Sequence, residues 1–167
     1  MTGGREFDEF FLREHPRVVA LATALTGVPE VARDLAQESL LKAYRAWSAV
    51  SQMERPGAWV RRVTINDAMS WHRRNGREAK AVRRLGRPSV VEQPEHEGPR
   101  FWAAVRALPE RQRAAVTLYY LDDQSVATVA AVLGVPEGTV KTSLFRARAT
   151  LATVLGTSTD DPISGGA

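Results

Sequence analysis

Residue types that usually carry out catalysis are thinly spread in this chain. It has no cysteine, and its three histidines, His15, His72 and His96, lie far apart and at no ligand spacing. Disulfides, thiolate zinc sites and cysteine nucleophiles are therefore absent, and each histidine reads as a surface or packing residue. Asp34 with Glu38 and Asp122 with Asp123 are imaginable metal pairs, but no third ligand joins either and no Gly-rich phosphate loop is present. Asp122 and Asp123 read better as a turn. Without a nucleophile, base and orienting group in one constellation, no catalytic residue, metal or cofactor is expected. Hydrogen-bond donors are what the chain does concentrate. Lys141, Thr142 and Arg146 fall with the apolar ring of Phe145 on one side of a helical pattern, with Arg148 on its flank. Such groups read base edges and hold phosphates.

The elements that must position these donors lie between Ser125 and Leu155. Ser125 suits a helix N-cap, and Val126, Val129, Ala130 and Leu133 recur at helical spacing. Gly134 stands where a left-handed terminating residue is needed. Pro136 suits the first position of a second helix, and Glu137 its positive end. Val140, Leu144, Ala147, Leu151 and Val154 then form one apolar stripe opposite the donors. Two helices joined by a tight glycine turn, the second with a basic outer face, make a helix-turn-helix. The plainer alternative is a helical hairpin whose charges only keep it soluble, yet only Glu137 opposes the donors.

Charge is unevenly placed along the 167 residues. The net +4 combines −2 over residues 1–54, +8 over 55–87, −3 over 88–98 and +1 over 99–167. A local basic segment beside an acidic one points to a polyanion on one surface and another partner elsewhere. Within the basic segment, Arg62, Asn66, Arg73 and Arg77 follow one helical flank, with Met69 intruding on it. Trp59 reads as core, and Trp71 stays open between core and base stacking.

The remaining pattern is helical. Residues 5–26 read as helix, with Pro16 separating two segments. Core candidates there are Phe7, Phe10, Phe11, Val18, Val19, Leu21, Ala22 and Leu25. Residues 29–47 place Ala36, Leu40, Ala43, Tyr44 and Trp47 on one face, and Asp34, Glu38, Lys42 and Arg45 opposite. By residue type alone that polar face is solvated, with Glu38 and Lys42 as a helix-stabilising pair. Residues 48–55 read as loop and 56–76 as helix, with Val60 and Val63 facing a core. Residues 77–98 lose periodicity and turn Pro/Glu-rich, the composition of a linker. Residues 99–121 read as two helices, the second opened by Pro109. Phe101, Trp102, Val105, Leu108, Val116, Leu118, Tyr119 and Leu121 supply their core. Residues 157–167 read as a disordered tail. The expected architecture is all-α: two small helical domains joined by a flexible linker, the second holding the helix-turn-helix. The boundaries are 1–78, a linker over 79–98, a second domain over 99–156, and the tail. The N-terminus lacks the apolar core of a signal peptide and no stretch is long enough to span a bilayer, so a soluble, cytoplasmic protein without membrane insertion is expected.

Four motifs in order resemble one family. They are Asp34–Trp47 (DLAQESLLKAYRAW), Pro56–Trp59 (PGAW) through Asn66, Leu108–Arg113 (LPERQR), and Leu133–Val140 (LGVPEGTV) with Arg146–Arg148 (RAR). The chain is similar to bacterial RNA polymerase sigma factors of the sigma-70 family, in the extracytoplasmic-function group (group 4). Val60–Trp71 looks like an actinobacterial, SigE-like subgroup. The resemblance implies a promoter-specificity subunit without catalysis of its own, with core RNA polymerase, promoter DNA and an anti-sigma factor as partners. It implies that Asp34, Gln37, Glu38, Lys42 and Arg45 dock on the β′ clamp helices, which reverses the solvated reading of that face. It implies that Ser51, Gln52, Met53 and Glu54 capture a flipped base of the −10 element, and that Arg62, Asn66, Arg73 and Arg77 hold the same element. Lys141, Thr142, Phe145, Arg146 and Arg148 match the −35 recognition helix. Ser70, Thr128-Val129, Lys141 and Ser143 depart from the family's usual residues, and lysine cannot grip guanine with two bonds as arginine does. The alternative is a free-standing helix-turn-helix regulator acting without polymerase, which leaves the 29–47 face and the basic segment unassigned.

Overall fold

A computed structural model describes residues 2–82 and 98–156, with side chains over 4–76 and 98–156. Among the described residues the chain is all-α. The order is α1 (Thr2–Thr26), α2 (Pro29–Arg45), α3 (Trp47–Val50), α4 (Pro56–Val82), α5 (Pro99–Arg106), α6 (Glu110–Val116), a π-helical turn (Thr117–Leu121), α7 (Val126–Leu133) and α8 (Glu137–Leu155). Most of the expected linker, and the whole tail at 157–167, lie outside the described residues.

Several boundaries differ from the sequence reading. Helix α1 runs unbroken through Pro16. The carbonyl that Pro16 cannot serve belongs to Leu12, which is 75% exposed, so the missing bond falls on the water side. A turn of helix, α3, replaces the first half of the expected loop, and α4 continues six residues past Gly76. Pro136 precedes α8 with extended ψ instead of occupying its first turn.

Helices α1, α2 and α4 pack around a small cluster of Phe7, Phe10, Val18, Ala36, Leu40, Ala43 and Val60. Phe7 reaches Tyr44 and Trp47 edge-on at 5.0 and 5.2 Å. Tyr44 is nonetheless 57% exposed and Phe11 36%, so neither is the core residue expected: their rings cap the cluster from outside. The larger cluster joins the two halves of the chain. Leu21, Leu25, Ile65, Ala68 and Met69 from α1 and α4 meet Trp102, Val105, Leu108, Val116, Leu118, Val129, Val140 and Leu144. The helix-turn-helix thus sits on α5 and α6 as expected, and on α4 through α7, while α1 meets α5 and the π-helical turn.

Candidate nucleic-acid interface

The helix-turn-helix is built as its sequence dictates. Ser125 Oγ accepts the Thr128 backbone N–H at 3.1 Å, capping α7. Gly134 ends α7 at φ 66°, a left-handed conformation in which a side chain is strained. Helix α8 buries Val140, Ser143, Leu144, Ala147 and Leu151. Val154, expected as the last member of that stripe, is 53% exposed, and Leu155 packs against the core in its place. Lys141, Thr142, Phe145 and Arg146 come together on the open face, and Phe145 is 72% exposed. Arg148 turns inward. Its Nε donates to the Tyr120 hydroxyl at 2.6 Å and its guanidinium lies 5.7 Å from that ring's centre.

Beside the start of α8 lies an open cleft of about 380 Å³, whose lining includes Arg111, Gln112, Thr139, Thr142 and Arg146. The positive end of α8 and two arginines around one hollow suit a phosphate oxygen. Arg111 and Gln112 escaped the sequence reading as site residues, since α6 is remote from α8 along the chain, and so did Thr139 in the first turn of α8. Ser143 lines the same cleft and is 7% exposed, so the departure there falls at the edge of the reading face.

The second group of donors is differently placed. Ser51 closes α3 half-buried, and Gln52, Met53 and Glu54 follow in an exposed turn. On α4, Arg62, Asn66 and Arg73 are exposed along one flank. Met69 does not intrude on that flank: it is 5% exposed, in the shared core. The Arg77 side chain lies outside the described residues. Arg62 Nε donates to the Val132 carbonyl at 3.0 Å. Arg73 Nη1 grips both oxygens of Glu110 at 3.0 and 2.9 Å, and its Nη2 donates to Ser70 Oγ at 3.1 Å. Arg61, absent from the sequence reading, is buried. Its Nη1 meets Glu14 at 2.9 Å and its Nε and Nη2 meet Asp122. Burial acts to lower the Arg61 pKa, but the Asp122 hydrogen bond and the Asp122 and Glu14 charges outweigh it and raise it. Burial lowers the pKa of Arg113 and of Arg106, the latter also through the Arg113 charge. Burial likewise holds His72 below its ordinary range, although its ring nitrogen meets the Leu25 carbonyl.

On α2, Asp34, Gln37, Glu38 and Arg45 are exposed along one stripe. Lys42 leaves that set. Its Nζ bonds Asp67 of α4 at 2.8 Å, so the expected Glu38–Lys42 pair gives way to a bridge between helices. Leu41, 37% exposed, lies in the middle of the stripe, where the sequence reading had only charged and amide groups. Among the described residues no three metal-ligating side chains converge, and no helix is long and apolar enough to cross a membrane.

Residues 10–78 match the model of sigma-70 region 2, and residues 100–151 that of sigma-70 region 4. The chain is 31% identical over 148 residues to the RNA polymerase sigma-E factor of Streptomyces avermitilis, covering 87% of this chain and 83% of the relative. It is 32% identical over 151 residues to the ECF RNA polymerase sigma factor SigM of Mycobacterium tuberculosis, covering 90% and 77%. Among solved structures, the sigma factor RpoE in complex with the anti-sigma factor NepR, from Bartonella quintana, superposes with a TM-score of 0.75 at 28% identity, over 92% of this chain and 99% of that one. The fold also matches CnrH in complex with the cytosolic domain of CnrY, at TM-score 0.69 and 20% identity, over 92% and 89%. With both regions present in order on one all-α chain, the protein belongs to the sigma-70 family, in its extracytoplasmic-function group, and is a promoter-specificity (sigma) factor of RNA polymerase.

Proposed function

We propose a division of labour among three surfaces. Asp34, Gln37, Glu38 and Arg45 on α2, with Leu41 as an apolar centre, dock on the β′ clamp helices of core RNA polymerase. Lys42 serves that face by fixing α2 on α4. The turn Ser51–Glu54 takes a flipped base of the −10 element, while Arg62, Asn66, Arg73 and Arg77 hold the backbone of the same element. Lys141, Thr142, Phe145 and Arg146 read the −35 element, with Arg111 and Thr139 seating a phosphate in the cleft. Arg148 stiffens the reading helix by its contact with Tyr120. The unit over 1–78 carries docking and −10 contacts, and that over 99–156 the −35 contact. The chain supplies specificity and no catalysis, and acts in the bacterial cytoplasm. An anti-sigma factor is a further proposed partner, supported by the likeness to RpoE in complex with NepR.

The observation that carries this reading is the open face of α8, where four donor or stacking side chains stand free of the protein's own body inside the region 4 match. Run-off transcription with purified core polymerase on a genomic fragment library tests it. Transcripts starting downstream of one shared pair of elements are expected. Duplex binding without any polymerase-dependent start would favour the free-standing regulator.

A further inference from the structure

The cleft beside the start of α8 holds an acceptor and a donor that each lack a partner. Gln112 of α6 and Arg146 of α8 both line it. Gln112 Oε1 is buried there, and no donor of the chain reaches it. Arg146 is exposed, and among the described residues its side chain makes no hydrogen bond or ion pair; only its backbone carbonyl is used, by Thr150 Oγ1 at 3.1 Å. A buried acceptor without a donor is costly, and folded chains keep few of them. An apolar side chain of the same shape would avoid that cost, so an amide at position 112 points to a donor that arrives later. The neighbours narrow the choice. Arg111 also lines the hollow, but consecutive residues of a helix do not face each other. The Thr142 hydroxyl is committed to the Gly138 carbonyl at 2.9 Å. Thr139 and Ser143 offer one short hydroxyl each, and neither reaches Oε1. Arg146 carries its guanidinium on a long, unbonded stem, with five donors, of which a guanine edge takes two.

Resting on the reading of Arg146 as a −35 contact, we propose that Gln112 is a positioning residue for it. Once α8 enters the major groove, a spare N–H of Arg146 donates to Gln112 Oε1, and the amide holds the guanidinium fork against a guanine edge. On a wrong base pair the fork is not drawn into that pose, and Oε1 stays without a donor. The free chain therefore carries an orphaned acceptor whose cost is recovered only in the specific complex. Specificity is a difference between two affinities, so such a bond adds to discrimination more than to overall grip. An arginine free to swing can settle for a phosphate; one held by a second bond loses that bond if it does. Gln112 touches no DNA in this arrangement and acts through Arg146 alone.

The test uses holoenzyme, formed from the full chain and core polymerase, on a promoter that run-off transcription identifies. Fragments with the native −35 element compete for limiting holoenzyme with fragments that carry one changed base pair in it, and the ratio bound is read for each change. Arg146→Ala locates the base pair that Arg146 reads, as the one whose ratio collapses. At that pair Gln112→Leu should lower the ratio by about tenfold, the worth of one hydrogen bond to a charged group, and leave the ratios at other pairs alone. In the Arg146→Ala background Gln112→Leu should change nothing further. Gln112→Glu keeps an acceptor and loses the N–H donors. It should bind every fragment more weakly, because it brings a negative charge near the phosphates, yet keep the native ratio. Urea unfolding of the free Gln112→Leu chain should give a midpoint no lower than native, since a buried orphan has gone. Gln112→Met carries the test if circular dichroism shows Gln112→Leu misfolded. A native ratio in Gln112→Leu overturns the proposal, as do additive losses in the double variant. So does a Gln112→Glu ratio as low as that of Gln112→Leu. A lower urea midpoint with ratios lost at every pair alike makes the amide structural and overturns it too. If Arg146→Ala lowers no ratio, the reading of Arg146 as a base contact fails, and the proposal with it; a collapse in Arg146→Ala without one in Gln112→Leu overturns the proposal alone.

Discussion

The donors on α8 and those on α4 share a chemistry and differ in company. Lys141, Thr142, Phe145 and Arg146 face solvent, while Arg62 and Arg73 already hold a carbonyl and a carboxylate of the other region. Sequence composition makes the α4 segment the stronger candidate for a polyanion, because it carries most of the basic charge. Structure gives the freer surface to α8. High local charge shows that a polyanion can be bound, and exposure shows which group is ready to bind it first.

The harshest way to break this comparison is Arg61→Ala. It leaves the Asp122 side chain buried without its partner and Glu14 with Arg13 alone, and removing one partner of a buried ion pair costs about 3–5 kcal/mol. Urea unfolding should show that loss, together with separation of the two regions. Arg146→Ala should come next. A loss of about 1–3 kcal/mol in discrimination between −35 duplexes is expected if it reads a base edge, and uniform weakening on every duplex would reduce it to a phosphate contact. Arg148→Ala sharpens the contrast: it should lower the melting temperature more than it alters duplex choice. Reversing Asp34 and Glu38 to lysine should weaken core polymerase binding by about tenfold, roughly 1.4 kcal/mol, while unfolding and duplex binding stay as they were. Loss of all three would mean misfolding. The smallest effect belongs to His72. Burial lowers its pKa in the fold, so its contribution is complete above the ordinary histidine pKa of about 6.5 and declines as pH falls below it. His72→Gln should flatten that part of the stability–pH curve.

Much of this was legible in the chain. Ser125, Gly134 and the spacing of Val140, Leu144, Ala147 and Leu151 gave the helix-turn-helix, because caps and periodicity are local properties. Four of the five residues expected on the reading helix share its open face. Arg148 does not, because its partner Tyr120 lies on another element and leaves no local mark. Lys42 misled for the same reason: Glu38 is near in sequence, but Asp67 is nearer in space. Pro16 misled in the other direction: it costs α1 one hydrogen bond and crowds the carbonyl four residues back, yet the helix runs through it. Arg61 was invisible as a structural residue, because a buried arginine looks like any other member of a basic run until both its carboxylates are placed. The seam between the regions had no sequence signature either. Leu25 and Trp102 read as core residues of their own domains and Met69 as an intruder on a basic flank, and nothing in periodicity says that two cores are one.

That shared core bears on how long the protein survives before it meets polymerase. Opening bares Leu25, Met69 and Trp102 together, an apolar patch of the kind that attracts aggregation, chaperones and proteases. A chain that waits closed hides this patch. Variants that weaken the seam would then disappear faster, and their abundance would have to be measured beside their activity.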